Sequence, residues 1–282
     1  MEQPVRVVTE SVCCLPTSLC RELGVLLVPM WILRGERSYR DGVDVSTQEV
    51  LAWLEEPPYP TASAPSPADY LAAFEEAARQ GAEQVLVLTV ARWLSGAYDH
   101  ACRAAARAPL PVEVVDTGTA AAAQGLVVLE AVRRLQEGDS VKAVARWAEQ
   151  AGPEAGLVAL VRSLDHLYRS GRVPRIAHLL NRHLGAIPLL AIRGGQIRRA
   201  GLAASFPAAV RRLISEVRRA RRSTAQLRVA VTEAGMSAEA EQLAGTLRIL
   251  QLARELHLFP FTPVMALNTG PGVLGVAYLA HS

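Results

Sequence analysis

The residues best equipped to hold a ligand sit in loops rich in hydroxyls, glycine and proline. Between Gln84 and Tyr98 (QVLVLTVARWLSGAY), an unbroken Val/Leu run hands directly to a helical pattern through Leu94-Ser95-Gly96. A run without polar alternation suits a strand covered on both faces. Ligands of open α/β sheets bind just beyond the carboxyl ends of such strands. Ser95 followed by Gly96 would expose backbone N–H groups at a helix N-terminus, which suits an anionic group. The same serine also suits a plain N-cap, and this segment alone leaves both readings open. Three further loops share this chemistry: Thr9-Glu10-Ser11, the stretch Pro60-Thr61-Ala62-Ser63-Ala64-Pro65-Ser66, and Asn268-Thr269-Gly270-Pro271-Gly272. Ser170-Gly171-Arg172 adds a guanidinium, a planar fork donor for a carboxylate or phosphate. Taken singly, each loop is also ordinary turn chemistry.

Equipment for transforming a ligand is missing. The chain has no G-x-x-x-x-G-K-[ST], G-x-G-x-x-G, G-x-S-x-G or H-E-x-x-H motif. Of the six histidines, His178 and His183 lie five apart, a spacing that does not share a helix face as an i, i+4 metal pair would. No carboxylate pair announces acid–base work. The reading assigns no catalytic residue, no metal site and no cofactor.

These loops must be carried by a sizeable α/β scaffold. The chain has 282 residues, half of them apolar, and a net charge of +3. That length fits one large domain or two ordinary ones. The basic run Val217–Arg222 has no interleaved aromatic residues and reads as a solvated helix end, so no nucleic-acid partner is expected. Four cysteines (Cys13, Cys14, Cys20, Cys102) form no C-x-x-C pair, and the N-terminal residues lack a leader pattern. Free thiols in a cytoplasmic protein are the expectation. The stretch from Leu256 onward has no Asp, Glu, Lys or Arg, but Pro260, Pro263, Pro271 and three nearby turn residues would break a spanning helix. It reads as two buried strands, the first Phe261–Ala266, with no insertion into a membrane.

Strands are expected at Val5–Thr9, Val25–Leu33, Val85–Val90 and Val112–Val115, alternating with helices near residues 17–23, 46–54, 67–80, 96–107 and 120–137. Ser46-x-x-Glu49 is a capping box, and Pro67 suits a first helical turn. Repeated βα units of this spacing imply a parallel sheet with helices on both faces. Beyond Gly138 the pattern turns mixed. It holds helices at 140–150, 208–221 and 238–252, strands at 156–161 and 227–232, and a hairpin turning at Gly194-Gly195. A boundary near residues 150–160 gives an N-terminal α/β domain (1–155) and a C-terminal mixed α/β domain (156–282).

In this order the loops resemble the DegV family of bacterial lipid-binding proteins, over essentially the whole chain. Glu10-Ser11-Val12-Cys13-Cys14-Leu15-Pro16 stands for the family's D-S-T-A-D-L-P, and Tyr39-Arg40-Asp41-Gly42 for Y-x-D-G. Ala62 to Pro67 matches T-S-Q-P-S-P, Leu94 to Tyr98 matches L-S-G-T-Y, and Ser170-Gly171-Arg172 matches G-G-R. Leu267-Asn268-Thr269-Gly270-Pro271-Gly272 takes the place of T-H-x-G-P-G.

The resemblance implies a two-domain DegV-like α/β fold with a long-chain fatty acid between the domains. Its carboxylate would meet Ser95, Gly96, Arg172 and Asn268, with Thr61, Ala62 and Ser63 walling the site. It also implies a non-catalytic role, presenting the acyl group to the catalytic subunit of a fatty acid kinase. An alternative is a substrate-binding subunit related to dihydroxyacetone kinase, which holds its substrate covalently through a histidine. A third is a lipid-free interaction protein. Ala62, Ala97 and Leu267 stand where the family has hydroxyls, each a lost hydrogen bond of about 0.5–1.5 kcal/mol. Asn268 stands where it has an imidazole, so that position carries no proton near neutral pH.

Overall fold

The computed structural model describes residues 5–172, 185–194, 196–224 and 226–280. Four parallel strands form the first sheet: β1 (Val5–Glu10), β2 (Leu26–Val28), β6 (Gln84–Thr89) and β7 (Val112–Asp116), in the order β2-β1-β6-β7. The apolar run Val85–Leu88 is fully buried at its centre, as a doubly covered strand requires. Helices α1 (Thr17–Leu23), α2 (Thr47–Trp53), α3 (Pro67–Arg79), α4 (Ala97–Ala105), α5 (Ala121–Gln136) and α6 (Val141–Glu154) lie between and after these strands. Both N-terminal signals legible in the sequence are realised. Ser46 and Glu49 form a capping box, and so do Ser66 and Asp69 ahead of Pro67.

The expected strand Val25–Leu33 is two strands in two sheets. Pro29 interrupts it, and the amide of Met30 donates to Ser11 Oγ (3.0 Å) instead of a ladder. Past that corner, β3 (Trp31–Arg34), β4 (Arg37–Arg40) and β5 (Thr61–Ser63) make a small antiparallel sheet in the order β4-β3-β5.

A six-stranded mixed sheet follows, built from β8 (Gly156–Leu160), β9 (Ile187–Arg193), β10 (Gln196–Ala203), β11 (Leu227–Ala234), β12 (Glu255–Leu258) and β13 (Val273–Ala280). Its order is β10-β9-β8-β13-β11-β12. The β9–β10 hairpin appears where expected, though Gly195 at its turn lies outside the described residues, as do His178 and His183. Period-two alternation explains how this sheet is covered. Val158, Leu160, Val229, Val231, Leu274 and Val276 face α8 (Phe206–Arg221) and α9 (Ser237–Ile249), while Leu157, Ala159, Ala230 and Ala277 join the core shared with the first sheet and α5. Across that shared core, buried Arg228 of β11 pairs with Glu130 of α5 and with Glu255 of β12.

Candidate functional site

One helix replaces a strand that the sequence suggested, and the turn expected at Ser170-Gly171-Arg172 closes another. The segment after Phe259 is helix α10 (Pro263–Thr269), not the strand expected at Phe261–Ala266. Thr262 at the N-cap position and Pro263 in the first turn are helix-start signals that an apolar count overlooks. Because Pro263 brings no N–H, the first donor is Val264, and the Asp41 carboxylate accepts from it at 2.8 Å. Downstream, α10 presents Met265, Asn268 and Thr269 to a cavity.

Arg172 reaches the same cavity from helix α7 (Asp165–Arg169). The amide of Gly171 donates to Tyr168 O and that of Arg172 to Leu167 O, with Gly171 left-handed at φ 76. This is a Schellman ending, in which glycine reverses the chain and turns the next residue back over the helix. The guanidinium donates to Ser170 O (2.9 Å) and to Asn268 Oδ1 (3.2 Å), and burial pulls its pKa below the ordinary arginine value. It stays charged, since arginine begins far above neutrality.

Ser95 arrives from the loop between β6 and α4, where Leu94 N donates to Ala91 O. Its hydroxyl accepts from Ala97 N at 3.3 Å, while Gly96 occupies the N-cap position, so the serine is a weak cap that also lines the cavity. Of the residues expected to gather, the structure brings Ser95, Arg172 and Asn268 together. Thr61, Ala62 and Ser63 form β5 instead, paired with β3, and they do not line this cavity. Gly96 does not line it either. It lies beside His100, whose Nδ1 is bonded to Pro65 O at 2.7 Å.

The rest of the wall is apolar: Val12, Met30, Val90 and Leu94 on the side of the first sheet, and Leu157, Ala159, Leu190, Ile192 and Ile197 from β8–β10. The cavity measures about 100 Å³, counted as space for the centre of a water molecule. The polar residues make a coherent donor set. Asn268 Oδ1 is taken by Arg172, and its Nδ2 donors have no hydrogen-bond partner among the described residues. Thr269 spends its proton on Met265 O (2.9 Å) and can only accept. Ser95, Asn268 and Arg172 can therefore donate together to one anion, with a single positive charge to balance it.

Among the described residues, no Cys, His, Lys, Asp or Glu lines this cavity. No group of three His, Cys, Asp or Glu side chains is placed to hold a metal. Cys13, Cys14 and Cys20 are free and buried; burial pushes Cys14 up to about 12 and Cys20 to about 11, so both stay as inert thiols. No helix is long and apolar enough to cross a membrane among the described residues.

The model of the DegV family, described as an uncharacterised protein, matches residues 4–281. The chain belongs to the DegV family. A DegV domain-containing protein of Streptomyces coelicolor is 32% identical over 278 residues, covering 98% of each chain. Among solved structures, a DegV family protein from Thermus thermophilus, described for its fatty acid binding, superposes with a TM-score of 0.91 at 29% identity, covering 98% of this chain and 99% of that one. A stearic acid-binding protein from Eubacterium ventriosum superposes with a TM-score of 0.88 at 24% identity, over 99% of this chain and 98% of that one, which speaks to the fold. This is the DegV α/β fold, with a parallel N-terminal sheet and a mixed C-terminal one.

Two DegV motif positions turn out to be buried carboxylates that sequence reading passed over as mere matches. Asp41 (2% exposed) accepts from Ser11 Oγ (2.6 Å) and Val264 N, tying the first strand's exit loop and the β4 loop to α10. Glu10 is wholly buried and accepts from the Tyr70 hydroxyl, Val90 N (2.9 Å) and Gln124 Nε2 (3.0 Å). Burial raises the pKa of both, with these hydrogen bonds opposing the rise. Each holds a cavity-lining residue by its backbone: Val90 through Glu10, Val264 through Asp41.

Proposed function

We propose that this chain binds one long-chain fatty acid in the cavity between its two large sheets. The carboxylate meets Ser95, Asn268 and Arg172, and the tail runs along β8–β10. One observation carries the reading: an apolar cavity whose polar residues amount to three donors and one acceptor, with one cation among them. That is the complement of a monocarboxylate with an apolar tail. The fatty acid binding described for the Thermus thermophilus relative supports it. On this reading the protein is a carrier that presents the acyl group to the catalytic subunit of a fatty acid kinase. The chain divides into two units, residues 1–155 and 156–282, that meet at the ligand. A histidine-linked substrate domain fits less well, because no histidine stands among the described residues lining the cavity.

The test is mass spectrometry of an organic extract of the purified protein, with displacement of a fluorescent C18 fatty acid as a second measurement. A co-purified C14–C20 monocarboxylic acid in near-stoichiometric amount is expected. Native mass spectra free of adducts, together with no displacement by any fatty acid, would overturn the assignment. Acyl phosphate formation on adding a fatty acid kinase catalytic subunit and ATP tests the partner separately.

A further inference from the structure

We propose that His166 is a positioning residue of this site: its ring, seated on Gly270, fixes α7 against the end of α10 and so holds Arg172 on Asn268. The contact is close. Gly270 has φ 76 and ψ −179, a conformation that side chains other than hydrogen rarely adopt. A Cβ placed there would lie 2.2 Å from His166 Cδ2 and 2.8 Å from Nε2, so the ring occupies the space a side chain would need.

Helix α7 takes its place from tertiary contacts. It is one short helix of 5 residues, and a helix that short has no stability of its own. Its position is set by what it touches. At one end His166 sits on Gly270; at the other Arg172 donates to Asn268; between them Leu167 lines the cavity and Arg169 lies over the Tyr59 ring. The two contacts fall two residues apart on the α10 side, so α7 and α10 form a clasp across the head group. Releasing the ring frees the turn that aims the guanidinium.

The charged groups around the ring give this clasp a signature. Asp165 and Arg169 share its helix, Glu55 follows α2, and Arg162 packs on Gly272. No residue from Pro263 to Gly272 is ionisable. Burial first, then Arg169, lowers the imidazole pKa against the pull of Asp165 and Glu55. The seated ring is therefore the neutral one. Seating is fully favoured above the ordinary imidazole value of about 6.5 and weakens as pH falls toward the lowered one.

The assay rests on the fatty-acid reading, with a second measurement that does not. Wild type, His166→Phe and His166→Ala are compared for binding of a fluorescent C18 fatty acid at about pH 7.5 and about pH 5.5. Phenylalanine keeps a ring on Gly270 that cannot titrate. At the higher pH the Phe variant is expected within about twofold of wild type and the Ala variant about tenfold weaker or more. On acidification wild type is expected to lose at least about threefold more affinity than the Phe variant. Equal acid losses in wild type and His166→Phe, or wild-type affinity in His166→Ala, would overturn the proposal.

If none of the three binds lipid, the fatty-acid reading fails and amide hydrogen exchange at Leu167–Arg172 and Ala266–Gly270 decides. Faster exchange in His166→Ala, and in wild type relative to His166→Phe at the lower pH, supports the clasp. Unchanged rates overturn it.

Discussion

Ser95→Ala separates two jobs that one hydroxyl can do. Its oxygen accepts from Ala97 N at 3.3 Å, a long bond at a position one residue before the N-cap. Losing that bond costs about 0.5 kcal/mol, the lower end for caps. In a chain of this size the melting temperature then falls by about 1–2 °C. The hydroxyl proton has no acceptor among the described residues, so in the loaded protein it is free for the carboxylate. A hydrogen bond to a charged partner contributes about 1.5–3 kcal/mol, which is roughly a 10- to 150-fold loss of affinity when it is removed. Thr269 cannot substitute, because its proton goes to Met265 O. Delipidated wild type and variant would be compared by fatty-acid titration and by thermal denaturation without lipid. A small melting shift with unchanged affinity would show that Ser95 only caps α4, and the donor set would then reduce to Asn268 and Arg172.

Three further outcomes are expected. Wild-type affinity should be nearly flat between about pH 6.5 and 8, because Arg172 does not titrate there, whereas Asn268→His should bind tighter as pH falls through the imidazole range; affinity titrations of both proteins check this. Gly270→Ala should destabilise by about 2–4 kcal/mol in denaturant melts, from positive-φ strain plus the clash with His166, and adding His166→Ala should recover only the clash. Glu10 has its pKa raised by burial, so its ionisation opposes folding as pH rises past the ordinary carboxyl range. Glu10→Gln should therefore remove part of the stability that wild type gains between about pH 7 and 5, and identical pH–stability curves would contradict that sign.

The elements read most faithfully from sequence are those with local signals. The capping box at Ser46, Pro67 in a first helical turn, the β9–β10 hairpin and the buried run Val85–Leu88 all appear in place. Period alone misled at two points. Val25–Leu33 reads as one apolar strand, yet Pro29 and the pull of Ser11 on Met30 split it between sheets. Phe261–Ala266 reads as strand because it is mostly apolar and carries no charge, yet the first free amide of its helix is met by Asp41, a partner 223 residues away in sequence. The site divides the same way. Ser95, Arg172 and Asn268 could be named because each sits in a loop that matches a DegV motif. That Thr61–Ser63 would pair into β5 depends on β3, and that His166 would meet Gly270 depends on tertiary packing no local pattern reports.

The placement of β13 constrains how this protein comes into being. Residues 273–280 lie between β8 and β11, pairing antiparallel with both, so the middle of the six-stranded sheet is missing until that segment is made. The residues just before it are α10, whose start is anchored to Asp41. Synthesis from the N-terminus can complete the first sheet early, but the head-group donors and the second sheet close together in one late, long-range step. Such non-local closure is slow and leaves apolar strands waiting. A nascent chain stalled before residue 273 would lack the strand that joins β8 to β11, and its second sheet would stand in two parts.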